Sequence, residues 1–247
     1  MTASLYSDPR LYDLMFPATD YGPFYAGEAR RAGGPVLELA CGTGRLLVPI
    51  AREGVRAVGL DLSAAMLAAA REHAREAGVA VEFVEGDMRA FDLGERFALV
   101  FVGRNSLLHL HRTEDLLACF ASVRRHLLPG GAFVFDVFNP NFRILGAPSE
   151  ERLPVMRLAH PEKGEVLVEQ ASDYDKATQV NRATWYFSAA GDPDFLVMPL
   201  HLRSIFPQEL PLLLAAGGFR LEARYGGPAR EPFAHHSHAQ VCICRAA

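Results

Sequence analysis

The sequence contains little that would place it among secreted, disulfide-bonded or membrane proteins. Only four of its 247 residues are cysteines, and they are too scattered in a chain of this size for a disulfide framework, so we expect reduced thiols. No apolar run approaches the roughly 20 residues that cross a bilayer, and residues 1–16 lack the basic start and apolar block of a secretory leader. We therefore expect a cytoplasmic protein without a membrane partner.

Positive charge is also scarce. The chain has 25 lysines and arginines against 29 aspartates and glutamates, for a net charge of −4. No run of basic residues interrupts the mixed surface charges, which argues against a nucleic-acid partner. Hydrophobic residues make up 50% of the chain, enough for a packed globular core. We expect a small-molecule partner, and the sequence leaves open a monomer or a homodimer.

The order of elements predicts an α/β fold. Short apolar runs alternate with longer helical patterns, which is typical of a parallel sheet with helices on both faces. The predicted strands are residues 35–40, 57–61, 81–85, 98–102 and 132–137. The predicted helices are residues 45–53, 64–77 and 114–127; Ser63 and Thr113 are the N-caps of the second and third, and residues 128–131 form the turn that ends the third.

The pattern changes between about residues 148 and 207. Extended, partly alternating segments at 166–174 and 180–188 flank a turn at 175–178 and predict a small antiparallel β insertion. A helix at 208–216, ended by Gly217 and Gly218, and strands at 220–225 and 240–244 follow. We therefore divide the chain into a core of residues 1–147 and 207–247 and an insertion of residues 148–206.

A strand, a tight loop and a helix meet at Glu38-Leu39-Ala40-Cys41-Gly42-Thr43-Gly44-Arg45. Glycines let a ligand lie against the main chain, and the first amides of a helix carry partial positive charge. The loop therefore indicates an adenosine-like ligand with an anionic group, although such turns also bind dinucleotides or phosphates or are purely structural. In a G-x-G-x-x-G pattern the third position is Leu47, which disfavours a dinucleotide and hence a nucleotide-dependent reductase.

Acidic residues end the next two predicted strands. Asp61 lies about twenty residues beyond the loop, where a carboxylate can accept hydrogen bonds from ribose hydroxyls; it could instead cap the next helix, a role that Ser63 can already fill. Asp87, in Gly86-Asp87-Met88, can accept from an exocyclic amine beside a thioether suited to an adenine face, or be a turn residue. Together the three strand ends match the tail, ribose and base of one ligand.

These motifs, with Leu128-Pro129-Gly130-Gly131-Ala132-Phe133, resemble those of class I S-adenosylmethionine-dependent methyltransferases from about Tyr12 to the C-terminus. The resemblance implies a Rossmann-like seven-stranded sheet with the last strand antiparallel, and S-adenosylmethionine as cofactor with S-adenosylhomocysteine as product. It implies that Glu38 and the amides around Gly42 and Gly44 bind the amino-acid end, Asp61 the ribose, and Asp87 with the Met88 amide the adenine. The remaining cofactor residues that it implies are Tyr12, Ala40, Leu62, Met66 and Arg104. Arg45, at the start of the helix, could meet the cofactor carboxylate or stay solvated. The family often has glycine at the position of Ala40, so we expect a slightly tighter approach to the ligand.

The segment Gly103-Arg104-Asn105-Ser106-Leu107-Leu108-His109 follows the fourth strand, where this family lines its methyl-transfer site. His109 is the candidate general base, with a structural histidine as the alternative. The Asn/Asp-Pro-Pro-aromatic motif of base-modifying nucleic-acid methyltransferases is absent here, and Asn139-Pro140-Asn141-Phe142 follows the fifth strand instead. An aminopropyltransferase would need paired acids here to hold a polyamine, and Arg104 has the opposite charge.

The insertion resembles the lid of macrolide aminosugar N-methyltransferases and, more loosely, that of glycine N-methyltransferases. We therefore expect a small-molecule methyltransferase, with N-methylation favoured over O-methylation; the alternative is a non-catalytic, regulatory S-adenosylmethionine-binding module. Candidate specificity residues, which could instead serve sheet packing or the surface, are Arg182, Trp185, Tyr186, His201 and Arg203.

A histidine-rich segment and a cysteine pair raise the question of a metal site. His235-His236-Ser237-His238 precedes Cys242-Ile243-Cys244. Two cysteines two residues apart are cramped compared with the C-x₂₋₄-C spacing of zinc sites. We expect no metal, and a hairpin that leads into the final strand.

Overall fold

The computed structural model describes residues 5–16 and 21–247. The first four residues of the segment tested for a leader lie outside this range. The helices are α1 (Pro9–Met15), α2 (Gly22–Ala32), α3 (Leu47–Arg52), α4 (Ala64–Ala77), α5 (Thr113–Arg125), α6 (Phe142–Leu145) and α7 (Leu210–Ala216). The strands are β1 (Val36–Leu39), β2 (Ala57–Asp61), β3 (Glu82–Glu85), β4 (Phe97–Val102), β5 (Leu127–Phe138), β6 (Leu153–His160), β7 (Gly164–Asp175), β8 (Val180–Ala189), β9 (Asp192–Arg203), β10 (Phe219–Tyr225) and β11 (Ala239–Ala246).

Seven strands form one sheet in the order β10-β11-β5-β4-β1-β2-β3. Strands β1 to β5 pair in parallel, whereas β11 is antiparallel to both β5 and β10. The predicted α/β sheet with an antiparallel last strand is therefore confirmed. The direction of the strand order reverses between β4 and β1, which opens a crevice at the carboxyl ends of these strands.

Both faces of the large sheet are buried. Val36 packs in one cluster with Leu47 and Leu67 from α3 and α4, whereas its neighbour Leu37 packs in the other with Phe120 from α5. Successive side chains of a strand point to opposite faces, so continuous apolar runs are needed where helices cover both. This is why β1 and β4 have almost no polar residues.

Two local predictions are wrong at element boundaries. The sequence predicts a turn at residues 128–131, but β5 runs through them because Leu127 pairs with Phe97. The pairing shifts register after Phe97, and Gly130 has a left-handed backbone (φ 75°), so the irregularity lies within the strand. Thr113 is the first residue of α5 rather than its N-cap, and its hydroxyl accepts from Arg203 Nη1 at 3.2 Å. Ser63 caps α4 as expected, through a bond from Met66 N.

A second, antiparallel sheet in the order β6-β7-β8-β9 follows the fifth strand and confirms the predicted insertion. The sequence pattern identified two of these four strands. This small sheet packs against the N-terminal segment, where Leu11 and Met15 of α1 join Val168 and Trp185 in one buried cluster. Within the described residues, the helices are too short or too polar to cross a membrane.

Candidate active site

The glycine loop follows the carboxyl end of β1, at the edge of the crevice. Three of its residues have left-handed backbone conformations: Ala40 (φ 53°), Gly42 (φ 55°) and Gly44 (φ 75°). A side chain disfavours this conformation, which gives a physical reason for a preference for glycine at the position of Ala40. The amide of Gly42 donates to Asp61 Oδ2 at 2.8 Å, so the loop is held against the end of β2.

A buried acid and a mostly buried base at this loop have polar atoms without partners. Glu38 is 3% exposed, and neither its Oε2 nor Arg45 Nη1 has a hydrogen-bond partner among the residues that the structure describes. Burial raises the pKa of Glu38 well above its usual range, although the charge of Arg45 acts in the opposite direction. Buried polar atoms are rarely left unsatisfied, so the pair fits a ligand that carries both an ammonium and a carboxylate. The amino-acid end of S-adenosylmethionine has these two groups.

Asp61 is held rigidly at the end of β2. Its Oδ1 accepts from Ser63 N and its Oδ2 from Gly42 N, each at 2.8 Å. Burial raises the pKa of this carboxyl despite these bonds. A carboxylate has about four acceptor positions, so capacity for hydroxyl donors remains. Next to it, Leu62 is 65% exposed, and Met66 is buried in the first turn of α4.

Asp87 already has an ionic partner that the sequence analysis missed. Arg89 donates to both of its carboxylate oxygens at 2.6–3.0 Å and reaches Asp115 at 3.2 Å. The guanidinium holds the pKa of Asp87 below its usual range. Met88 is buried beside it. The role of Asp87 toward adenine stays a prediction, and the signal for its partner was an arginine two residues further on.

The N-terminal segment covers the glycine loop. The guanidinium of Arg45 lies 4.6 Å from the centre of the Tyr12 ring. Asp13 Oδ1 accepts from the Thr43 hydroxyl at 2.6 Å and lies 3.4 Å from Arg45 Nε. Helix α1 therefore contacts the loop through a charged and an aromatic side chain. Sequence reasoning did not identify Asp13, because nothing in the local pattern links it to a loop thirty residues away.

The end of β4 has a strained backbone that a buried acid stabilises. Arg104 (φ 58°) and Asn105 (φ 65°) are consecutive left-handed residues. Their amides donate to Asp136 at 2.8 and 3.2 Å, and the hydroxyl of Tyr25 donates to the same carboxylate at 2.6 Å. Such conformations persist only where the surroundings fix them. The Arg104 guanidinium lies 5.3 Å from the centre of the Tyr21 ring.

A cavity of about 390 Å³ lies between these strand ends and the small sheet. Tyr12 forms a wall that the cavity shares with the glycine loop. No carboxylate is among the described residues that line it, and Arg104 is the one side chain there with a permanent charge. The lining residues are Leu5, Tyr6, Tyr12, Phe16, Arg104, Asn105, His109, Phe138, Asn139, Asn141, Ile144, Leu145, Gln170, Asn181, Ala183, Trp185, Leu200, Leu202 and His238.

His109 faces this cavity in a 3-10 turn, Ser106–His109. Its Nε2 lies 2.6 Å from the hydroxyl of Tyr6, at hydrogen-bond distance. Burial lowers the pKa of His109 to about 4 and raises the pKa of Tyr6. Both groups are therefore neutral near pH 7.

Of the five side chains that we expected to set specificity, only Trp185 lines the cavity. Arg182 pairs with Asp175 at 3.0 Å, and Arg203 with Glu209 at 2.6 Å. Tyr186 lies beneath the guanidinium of Arg152, and His201 contributes its backbone carbonyl to a bond from His111. These four depend on tertiary contacts that the order of strands does not reveal.

The histidine and cysteine residues near the C-terminus do not form a metal cluster. Residues 5–16 and 21–247 contain no group of three or more histidine, cysteine, aspartate or glutamate side chains placed to hold an ion. Cys242 and Cys244 are buried in β11, where burial raises the pKa of the Cys242 thiol to about 12.

Comparisons with known proteins agree with this geometry. A family model described as a methyltransferase domain matches residues 36–131. The chain is 30% identical to dTDP-3-amino-3,4,6-trideoxy-alpha-D-glucopyranose N,N-dimethyltransferase of Streptomyces venezuelae, over 88% of this chain and 92% of that protein. The CcbJ methyltransferase of Streptomyces caelestis has a similar structure, with a TM-score of 0.80 at 28% identity, covering 94% of this chain and 97% of the other. The S-adenosylmethionine-bound amino pentose methyltransferase CalS10 of Micromonospora echinaspora shares the fold, with a TM-score of 0.74 at 22% identity over 96% and 97% of the two chains.

Proposed function

Because this chain belongs to the S-adenosylmethionine-dependent methyltransferases, we propose that it methylates the amine nitrogen of a small molecule, and that the acceptor is an amino sugar. The relative that it matches over nearly its whole length is named for two methylations of an amino sugar nitrogen. We favour nitrogen over oxygen as the methylated atom because of the chemistry of the cavity.

The charge of the cavity carries the proposal. Its described lining has no carboxylate, so nothing there would hold the acceptor as an ammonium ion. An amine attacks only through its free lone pair, and a site that disfavours the ammonium favours the reactive form. A hydroxyl acceptor would need a base strong enough to remove its proton during attack. A histidine with a pKa of about 4 is a weak base.

The cofactor would be held by residues of the three strand ends. Glu38 would accept from its ammonium, Arg45 and the loop amides would meet its carboxylate, and Asp61 would accept from the ribose. Asp87, with the Met88 amide, would bind the base. When bound, S-adenosylmethionine supplies the methyl group as an electrophile on a positively charged sulfur.

Alignment of the acceptor nitrogen with the methyl group would then supply most of the rate enhancement. Holding two reactants in line can lower the barrier by several kcal/mol, about 7–11 in the best cases. Tyr12, which lies between the loop and the cavity, and Arg104, at the end of β4, would face the reacting groups. His109, kept in place by Tyr6, would contact the acceptor.

We further propose that the insertion, residues 148–206, is a lid that closes the acceptor cavity over a core of residues 1–147 and 207–247. We also propose a cytoplasmic location, because the four cysteines are free and buried, as in a reducing compartment. A small-molecule acceptor fits either a monomer or a homodimer.

Incubation of the purified protein with S-adenosylmethionine and a panel of amino sugars tests the proposal. Mass spectrometry should find products heavier by one or two methyl groups, and the corresponding sugars with a hydroxyl in place of the amine should stay unmodified. Equal methylation of the hydroxyl analogues would contradict the preference for nitrogen.

A further inference from the structure

The segment that follows β5 lines the acceptor cavity with an asparagine that is only half satisfied. Asn139 Nδ2 donates to the backbone carbonyl of Ser237 at 3.0 Å. A carbonyl can only accept, so this bond fixes which end of the amide is nitrogen. Asn139 Oδ1 is buried and has no partner in the described part of the chain.

A second asparagine faces the cavity from the small sheet with the same defect. Asn181 Nδ2 donates to Ser172 Oγ at 3.3 Å, and the same oxygen accepts from Gln170 Nε2 at 3.2 Å. Trp185 Nε1 in turn donates to Gln170 Oε1 at 3.1 Å. This chain of bonds orients the side chains along β7 and β8. It leaves Asn181 Oδ1 buried without a partner among residues 5–16 and 21–247.

Not every asparagine that lines the cavity has an unpaired amide oxygen. Asn141 also lines the cavity, but its Oδ1 accepts from Arg143 N at 3.0 Å and caps α6. Two of the cavity asparagines thus hold unpaired acceptors, one from the core and one from the small sheet. Because a buried acceptor without a donor is destabilising, both positions are explained if a ligand supplies the donors.

We propose that Asn139 and Asn181 are the specificity-determining residues for the acceptor, and that their amide oxygens accept hydrogen bonds from its N–H and O–H groups. This inference rests on the proposed function and narrows it. The acceptor is an amine with at least one neighbouring hydroxyl, because two oxygens, one from the core and one from the small sheet, need two donors. The groups of the acceptor that meet these two oxygens are not carboxylate or phosphate, because those groups have only hydrogen-bond acceptors and the amide oxygens can only accept.

The test compares Asn139→Leu and Asn181→Leu with the control Gln208→Leu, which makes the same change from an amide to leucine at an exposed position outside the cavity. The probes are methyl glycosides of 3-amino-3-deoxyglucose and its analogues that lack the hydroxyl at C2 or C4. Calorimetry with protein saturated with S-adenosylhomocysteine gives the probe affinity, and methyl transfer gives kcat and KM. We expect each leucine variant to raise the Kd and KM of the hydroxylated probe about tenfold. S-adenosylhomocysteine affinity and the control should stay within about twofold of wild type.

The deoxy analogues identify the hydrogen bonds. For the analogue that lacks the partner hydroxyl, the corresponding leucine variant should bind as well as wild type does. If a leucine variant fails to bind S-adenosylhomocysteine, the smaller Asn139→Ala or Asn181→Ala replaces it in the same comparison. Unchanged affinity for every probe in both variants, with wild-type methylation intact, would overturn the inference and leave the proposed function standing. Wild-type protein that binds S-adenosylhomocysteine but neither binds nor methylates any probe would contradict the proposed function, and the inference with it.

Discussion

Glu38 shows how one residue can serve binding at the expense of stability. Its carboxyl is buried with one oxygen unpaired, and burial raises its pKa. A raised pKa means that the folded protein holds the proton more tightly than the unfolded chain does. The folded state is therefore favoured by the protonated carboxyl below the unfolded pKa of about 4.5, and this contribution is lost as the pH rises through the folded value, where the charged form is buried.

Replacing Glu38 with glutamine should separate these two effects. In Glu38→Gln the ligand-free protein should melt at a higher temperature than wild type at pH 7, since a buried carboxyl, whose charged form burial disfavours, is replaced by a neutral amide. S-adenosylmethionine affinity should fall about tenfold or more, because a charge-assisted hydrogen bond is lost. Thermal melts and calorimetric titration measure the two changes.

Glu162→Gln is the matched control, because Glu162 is exposed in the turn between β6 and β7. It should change neither quantity. A Glu38→Gln variant with wild-type affinity would contradict the role given to Glu38.

His109 allows a prediction about pH. Its pKa is lowered to about 4, so as the pH falls the unfolded chain takes up the proton first, near its ordinary value of about 6.5. The stability that the neutral ring contributes is present above about pH 6.5 and is lost as the pH falls toward 4. In His109→Gln this part of the pH dependence should disappear, as urea unfolding at pH 7 and pH 5 would show.

The same variant tests whether a base is needed. With an amine acceptor, His109→Gln should keep kcat within about tenfold of wild type, since a neutral amine attacks unaided. A loss of about a hundredfold or more, with a changed acid limb of the pH–rate profile, would instead identify His109 as a general base.

At the scale of elements, α1 is the part that ties the N-terminal segment to the cofactor loop. The tie is Asp13, which accepts from the Thr43 hydroxyl and lies beside Arg45. Asp13→Asn should raise the dissociation constant of S-adenosylmethionine about tenfold, because hydrogen bonds to charged groups contribute about 1.5–3 kcal/mol. The change should be mainly a faster dissociation, as measured by displacement with excess S-adenosylhomocysteine.

Asp173→Asn is the corresponding control, since Asp173 is exposed on β7. It should leave the dissociation rate unchanged. A slower association with an unaltered dissociation rate in Asp13→Asn would argue that α1 guides the cofactor in but does not retain it.

The elements themselves were largely readable from the sequence, because each depends on local patterns. The apolar runs of β1, β2 and β4, the cap at Ser63 and the acid at the end of β2 are short-range signals, and the structure confirms them. The continuation of β5 through Gly130 could not be predicted, because it depends on the pairing of Leu127 with Phe97, thirty residues earlier.

The acceptor side of the site was less predictable for the same reason. Asn139 and Asn181 lie far apart in sequence and meet at one cavity only through the packing of the small sheet over the core. Arg182 and Arg203, two of the candidate specificity residues, are paired with Asp175 and Glu209 instead. Neither the meeting of Asn139 and Asn181 at one cavity nor the two ion pairs produces a periodic pattern in the sequence.

For the molecule as a whole, cofactor binding should be visible as stability. A ligand at a hundred times its Kd adds about 2.7 kcal/mol to the free energy of unfolding. For a chain of this size that corresponds to a rise in Tm of roughly 5–10 °C. S-adenosylhomocysteine should produce this rise in a thermal melt, and nicotinamide dinucleotides should not. A rise with the dinucleotide instead would contradict the assignment of the glycine loop.

The central claim is that the protein moves a methyl group from S-adenosylmethionine to the nitrogen of a small amine. It is tested most directly by supplying isotopically methyl-labelled S-adenosylmethionine with an amino sugar and locating the label in the product by NMR. We predict that the label appears on the nitrogen, at the chemical shift of an N-methyl group, and that Glu38→Gln slows its appearance at low cofactor concentration. A label on oxygen or carbon, or S-adenosylmethionine bound but never consumed with any amine offered, would contradict the account.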